Sequence, residues 1–178
     1  MDGVDKTELL KAIELIKLAS IQKHFIYVGG NGGSAAISNH LVCDLAKGCR
    51  ADNFNSIKVV SLSSNVPVLT AIANDIGYKD TLSYQLQGYL ENKQGLVILI
   101  SSSGNSPNIL EACKMSQFLG AQVIGMTGFD GGDLKLQADV NLHVPIHNYG
   151  VVEDCHQSLM HLMAQYIAKQ RKDINECK

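Results

Sequence analysis

Residues able to do chemistry gather first in one stretch, Tyr27–Gly48, which reads YVGGNGGSAAISNHLVCDLAKG. Gly29, Gly30, Asn31, Gly32 and Gly33 form a turn between an apolar strand end, Phe25-Ile26-Tyr27-Val28, and a helix that starts at Ser34. Glycine lacks the Cβ that keeps backbone N–H groups away from an anion, and a helix N-terminus adds partial positive charge. Such a turn suits a phosphate. It matches neither the Walker pattern nor the GxGxxG dinucleotide fingerprint, and glycine turns after strands are common in α/β folds. On the same helix His40 and Asp44 stand four apart, on one face. That spacing serves an acid/base pair, and it equally serves a solvated surface pair.

A second stretch, Ser101-Ser102-Ser103-Gly104-Asn105-Ser106-Pro107, puts four hydroxyls at a strand end just before a helix. Hydroxyls and N–H groups donate to phosphate directly, without a cation. A loop held between a buried strand and a helix is a poor place for flexibility, so phosphate binding is the reading that fits its position.

These stretches need elements to hold them. Thr7 to Ala19 carries Leu9, Leu10, Ile13, Leu15, Ile16 and Leu18 at helical spacing. Phe25–Val28 is the first strand, and Ile57–Leu62 reads as the second. Helices are expected over Asn65–Asn74, with Pro67 in the first turn, and over Thr81–Leu90. Leu96–Ile100 is a continuous apolar run, the mark of a strand covered on both faces. A helix over Asn108–Leu119 follows it, then a strand over Gln122–Met126 and the turn Thr127–Gly132. A short helix over Leu134–Gln137, a strand over Val140–Val144 and a last helix from Val152 to about Lys169 complete the chain. Alternating strands and helices without a repeat or linker predict one α/β domain over residues 1–178. It is a three-layer sandwich on a doubly wound five-stranded parallel sheet. Ligands in such sheets bind beyond the carboxyl ends of the strands, where strand order switches.

Composition narrows the function classes. An apolar fraction of 46%, 18% charged residues and a net charge of −2 describe a folded globular chain. Basic residues are scattered and aromatics few, which argues against a nucleic-acid surface. Leu96–Ile100, the longest apolar run, is too short to span a bilayer, and MDGVDKTELL lacks the pattern of a secretory signal. Cys43, Cys49, Cys113, Cys155 and Cys177 are odd in number and without CxxC spacing, so reduced thiols and a cytoplasmic location are expected. Cys43 and Cys155 flank the candidate residues, but inert packing thiols are the expected reading.

Taken in order, the motifs resemble those of sugar isomerase (SIS) domains and, among them, the sedoheptulose 7-phosphate (phosphoheptose) isomerases. The resemblance rests on GNGGSAA at Gly30–Ala36, His40 with an acid four later, LTAIANDIGY at Leu69–Tyr78, SSSGNSPN at Ser101–Asn108, TGFDGG at Thr127–Gly132, and His156 with His161. It implies that Ser34, Ser101, Ser102, Ser103 and Ser106 hold a sugar phosphate, with Asn31, Gly32, Asn74, Asp75 and Glu153 also contacting substrate. It implies proton transfer by Asp44 and His161, and a zinc ion on His40, Asp44, Glu153 and His161. It further implies a homotetramer with active sites shared between subunits. The chain departs from the family pattern at several places, among them a stretch between Tyr149 and Glu153 that is one residue shorter than the family's. Asp44 stands for the usual glutamate, Glu153 for the usual glutamine, and Gly48 for a frequent arginine, with Lys47 and Arg50 nearby. Glu153 and His161 are eight apart, a rise of about 12 Å on a straight helix, which strains their service to one ion. His156 faces elsewhere and reads as structural or interfacial. Leu159, Leu162, Met163 and Ile167, with the N-terminal stripe, suggest more apolar surface than one sheet can cover. The expected activity is conversion of sedoheptulose 7-phosphate to a D-glycero-D-heptose 7-phosphate through an enediol. The alternative is a non-catalytic SIS domain that binds a replication initiator.

Overall fold

A computed structural model describes residues 3–90 and 95–176; Cys177 lies outside them. Helix α1 (Lys6–Ile21) starts where Asp5 accepts a hydrogen bond from the Thr7 N–H at 2.7 Å. Strand β1 (Phe25–Gly30) leads into α2 (Gly33–Cys43), which runs on as one π-helical turn, Asp44–Gly48. Strand β2 is Lys58–Ser61. Asn65 caps α3 (Val66–Asp75) by accepting from the Val68 N–H at 3.2 Å, and Pro67 sits in its first turn as expected. The helix expected over Thr81–Leu90 is shorter: a 3-10 turn (Tyr78–Asp80) precedes α4 (Ser83–Tyr89).

Strand β3 (Gly95–Ser101) feeds α5 (Pro107–Phe118), then come β4 (Gln122–Thr127), α6 (Gly132–Gln137) and β5 (Val140–His143). The last helix, α7 (Tyr149–Glu176), is longer than its periodicity suggests at both ends. It starts early because the Asn148 side chain accepts from the Val151 N–H at 3.1 Å. It continues late because Arg171 is buried, donating to the Cys49 carbonyl at 2.8 Å and the Ser20 hydroxyl at 2.6 Å.

All five strands are parallel, in the order β2-β1-β3-β4-β5. Strand alternation splits the core in two. Ile26, Val28, Leu96, Ile98 and Ile100 face α1, α2 and α7, whereas Tyr27, Val97, Leu99 and Val123 face α4, α5 and α6. This is the expected three-layer arrangement. One expectation fails: Leu159, Met163 and Ile167 are at most 1% exposed, covered by the chain's own sheet and α1, so they are no surplus surface. Leu162, at 43%, is exposed. Strand order reverses between β1 and β3, so the turn after β1 and the serine loop after β3 share one cleft.

Candidate active site

The turn after β1 is tight. A Cβ on Gly30 would lie 2.6 Å from the Ser34 backbone, and Gly32 adopts φ 54°, a left-handed conformation open to glycine. Asn31 is clamped by a reciprocal amide pair with Asn108, each bond 2.8 Å, and its Oδ1 also accepts from the Tyr78 hydroxyl at 2.9 Å. The serine loop is equally fixed. The Ser102 carbonyl accepts from the Gly128 N–H at 2.8 Å, and the Gly104 carbonyl from the Leu134 N–H at 3.0 Å. Gly104 has φ 66°, and a Cβ there would fall 1.9 Å from the Gly131 carbonyl oxygen. The TGFDGG turn thus packs directly on the serine loop and holds it rigid.

Between the two loops lies a cavity of about 120 Å³ lined by Asn31, Ser34, Ser101, Ser102, Ser103, Ser106, Tyr149 and Glu153, with Ile100. Ser34, Ser101 and Ser102 are at most 5% exposed. The Ser102 hydroxyl is buried without a hydrogen-bond partner among the described residues. A buried donor without a partner costs free energy, so this hydroxyl calls for an acceptor in the cavity. The helix N-termini of α2 and α5 border the same space.

A second centre lies on α2 and α7. His161 Nδ1 is 2.8 Å from Asp44 Oδ2, and His40 Nε2 is 3.6 Å from Asp44 Oδ1. The two imidazole rings meet edge to face, centroids 4.9 Å apart. His161, brought from far along the chain to the same carboxylate, makes this a three-residue cluster rather than a pair within one helix. The π-helical turn that begins at Asp44 widens the backbone at this point.

A family model described as an SIS domain matches residues 3–128. A phosphoheptose isomerase of Helicobacter pylori is 34% identical over 144 residues, 81% of this chain and 74% of the relative. Another, from Clostridium acetobutylicum, is 32% identical over 170 residues, covering 95% and 85%. The solved phosphoheptose isomerase of Neisseria gonorrhoeae superposes with TM-score 0.84 at 30% identity, covering 92% of this chain and 86% of that one. This chain belongs to the SIS-domain family, in its phosphoheptose isomerase branch.

Within this SIS domain, the expected phosphate residues Ser34, Ser101, Ser102, Ser103 and Ser106 all reach one cavity, together with Asn31 and Glu153. Gly32 shapes the turn. Asn74 and Asp75 do not line that cavity. They are exposed at the end of α3, where Asn74 donates to Asp75 at 2.8 Å.

The metal set divides similarly. His40, Asp44 and His161 offer ligand atoms within 4.8 Å of one another, and neither Glu153 nor a cysteine belongs to this group among the described residues. Two imidazoles and a carboxylate are donors that fit zinc, with room for a further ligand. Glu153 instead packs its carboxylate on Gly33, where a Cβ would lie 2.2 Å from Oε2. His156 is fully buried, 3.1 Å from the Thr127 carbonyl, and is structural.

Sequence reasoning missed three residues. Asn108 is legible only through the amide pair. Tyr149 lines the cavity because α7 starts early. Gln157, four before His161, could have been found from that i,i+4 spacing.

Proposed function

We propose that this protein is an aldose–ketose isomerase that interconverts sedoheptulose 7-phosphate and D-glycero-D-heptose 7-phosphate, supplying heptose for a bacterial capsule or lipopolysaccharide. One observation carries the reading: α2 and α7 each run from the serine cavity to the His40–Asp44–His161 centre. Ser34 and His40 are six apart on α2, a rise of about 9 Å, and Glu153 and His161 are about 12 Å apart along α7. An extended sugar with phosphate at one end and carbonyl at the other matches two such centres.

The phosphate enters the cavity and takes hydrogen bonds from Ser34, Ser101, Ser102, Ser103 and Ser106 and from the backbone N–H groups at the starts of α2 and α5. No fixed cation is required. At the other end, a base removes the proton on C1 of the ketose, the enediol forms, and the proton returns at C2. Asp44 is the base in this scheme. His161, hydrogen-bonded to it, serves the accompanying proton exchange at oxygen. Zinc on His40, Asp44 and His161 would supply Lewis-acid polarisation of the substrate oxygens.

A non-catalytic binding module would have no use for two imidazoles gathered on one carboxylate, which favours the enzyme. The active form in this reading is a homotetramer with sites shared between subunits. Incubation with sedoheptulose 7-phosphate should yield the aldose, with fructose 6-phosphate and ribulose 5-phosphate turned over poorly. Absence of aldose product from the heptulose would defeat the proposal.

A further inference from the structure

The reciprocal amide pair between Asn31 and Asn108 does not by itself choose an orientation. Turning both amides over exchanges donors with acceptors and keeps both bonds. Thr81 breaks that symmetry. Its hydroxyl gives its one hydrogen to the Tyr78 carbonyl at 2.8 Å, so toward any other neighbour it can only accept. The Asn108 atom 3.5 Å from that oxygen must therefore be Nδ2, because Oδ1 there would set lone pair against lone pair. The contact is long for a hydrogen bond, but its sign is fixed. Thr81 and Asn108 are each 1% exposed, so water does not screen the repulsion that the other orientation would meet.

With Asn108 fixed, Asn31 follows. Its Oδ1 accepts from Asn108 Nδ2 at 2.8 Å and from the Tyr78 hydroxyl at 2.9 Å, which fills both lone pairs. Its Nδ2 gives one N–H to Asn108 Oδ1 at 2.8 Å. The second N–H has no partner among the described residues, and Asn31 lines the serine cavity. Were both amides turned over, the group left for the cavity would be a carbonyl lone pair. Phosphate oxygens accept, so they are held by the first arrangement and repelled by the second.

We propose that Thr81 and Asn108 are positioning residues for phosphate: together they lock the Asn31 carboxamide so that it meets the cavity as a donor and never as an acceptor. The orientation concerns the chain alone; its effect on turnover rests on the isomerase reading.

The test uses the full chain labelled with ¹⁵N and titrated with inorganic phosphate. Side-chain amide signals are followed in ¹H–¹⁵N spectra, and Asn31→Asp and Asn108→Asp assign them. In the wild type, one of the two Asn31 side-chain N–H signals should move with phosphate in step with the backbone amides of the serine loop. Thr81→Val keeps the shape and removes the hydroxyl, so phosphate affinity should fall about threefold to tenfold. Thr81→Ser restores the hydroxyl and should restore the affinity. Asn31→Asp keeps every acceptor and loses the N–H, so affinity should fall about tenfold or more. With sedoheptulose 7-phosphate as substrate, the loss in Thr81→Val should appear in KM, with kcat within about twofold of wild type.

Serine-loop shifts without one at Asn31 would overturn the proposal and leave the phosphate reading of the cavity standing. Absence of shifts at both would overturn the two together. Wild-type affinity in Thr81→Val or in Asn31→Asp would also overturn it, as would an equal loss in Thr81→Ser and Thr81→Val. If Thr81→Val fails to fold, the wild-type titration and Asn31→Asp still decide.

Discussion

Asp44 carries two readings of its chemistry, and one atom separates them. In Asp44→Asn the amide keeps the shape of the side chain and cannot accept a proton. If Asp44 is the base, kcat should fall by about 10²- to 10⁴-fold while KM for the sugar phosphate stays within a few-fold. If it is chiefly a metal ligand, zinc content should fall with the rate, as in His40→Ala. Steady-state kinetics with metal analysis on the same preparations checks this, and near-normal values of both would move the chemistry elsewhere. Asp44→Glu, which lengthens the reach by one methylene, should retain measurable activity.

Ser102 is the matching test at the phosphate end. Its hydroxyl is buried and has no hydrogen-bond partner among the described residues, so Ser102→Ala should leave thermal stability unchanged or slightly raised. With phosphate bound the same hydroxyl would donate to an anion, a bond worth about 1.5–3 kcal/mol, so KM should rise about tenfold or more.

Between elements, the contact with a measurable pH signature is that of α7 with β4. Burial pulls the His156 imidazole down from 6.5 to about 4, while its hydrogen bond to the Thr127 carbonyl opposes the fall. The folded chain therefore keeps His156 neutral at a pH where the unfolded chain already binds a proton. Its contribution to stability is full above about pH 6.5 and is lost as pH falls toward about 4, by roughly 3 kcal/mol at most. Melting temperature recorded between about pH 7 and pH 5 should fall less steeply in His156→Gln, which keeps a donor for the carbonyl and does not titrate. An equal slope in the two proteins would show that protons are taken up elsewhere. The same helix carries Glu153 at the serine cavity and His161 at Asp44, so a loosened α7 should also raise KM.

At the scale of the molecule, the exposed apolar side chains define where a second copy would sit. Leu10, Leu18 and Ile21 on α1 are 44–71% exposed, and Leu162, Tyr166 and Ile174 on α7 are 43–49% exposed. These helices lie on one side of the sheet, so their outer faces are the candidate interface. Light scattering at micromolar concentration should find a tetramer, and Leu10→Glu with Leu18→Glu should shift it to smaller species. A stable wild-type monomer would defeat the proposed tetramer and, with it, the proposal that sites are shared between subunits. Among the described residues no helix is long and apolar enough to cross a membrane.

Local chemistry was legible in the sequence wherever it depends on near neighbours. The glycine turn, Pro67 in the first turn of its helix, the buried β3 run and the serine loop before a helix are each written within a few consecutive residues, and each is found in place. So was the fold class, because alternating strands and helices admit few topologies. Contacts between distant segments were not legible. Periodicity marks Leu159, Met163 and Ile167 as apolar without saying whether the chain's own core or a second subunit covers them. Spacing puts Glu153 on the face of α7 that carries His161, yet side-chain reach sends its carboxylate to Gly33 and brings Gln157 to the imidazoles. Helix phase specifies a direction from an axis. What a side chain meets there is decided by the crossing of α2 and α7, set by packing along their whole length.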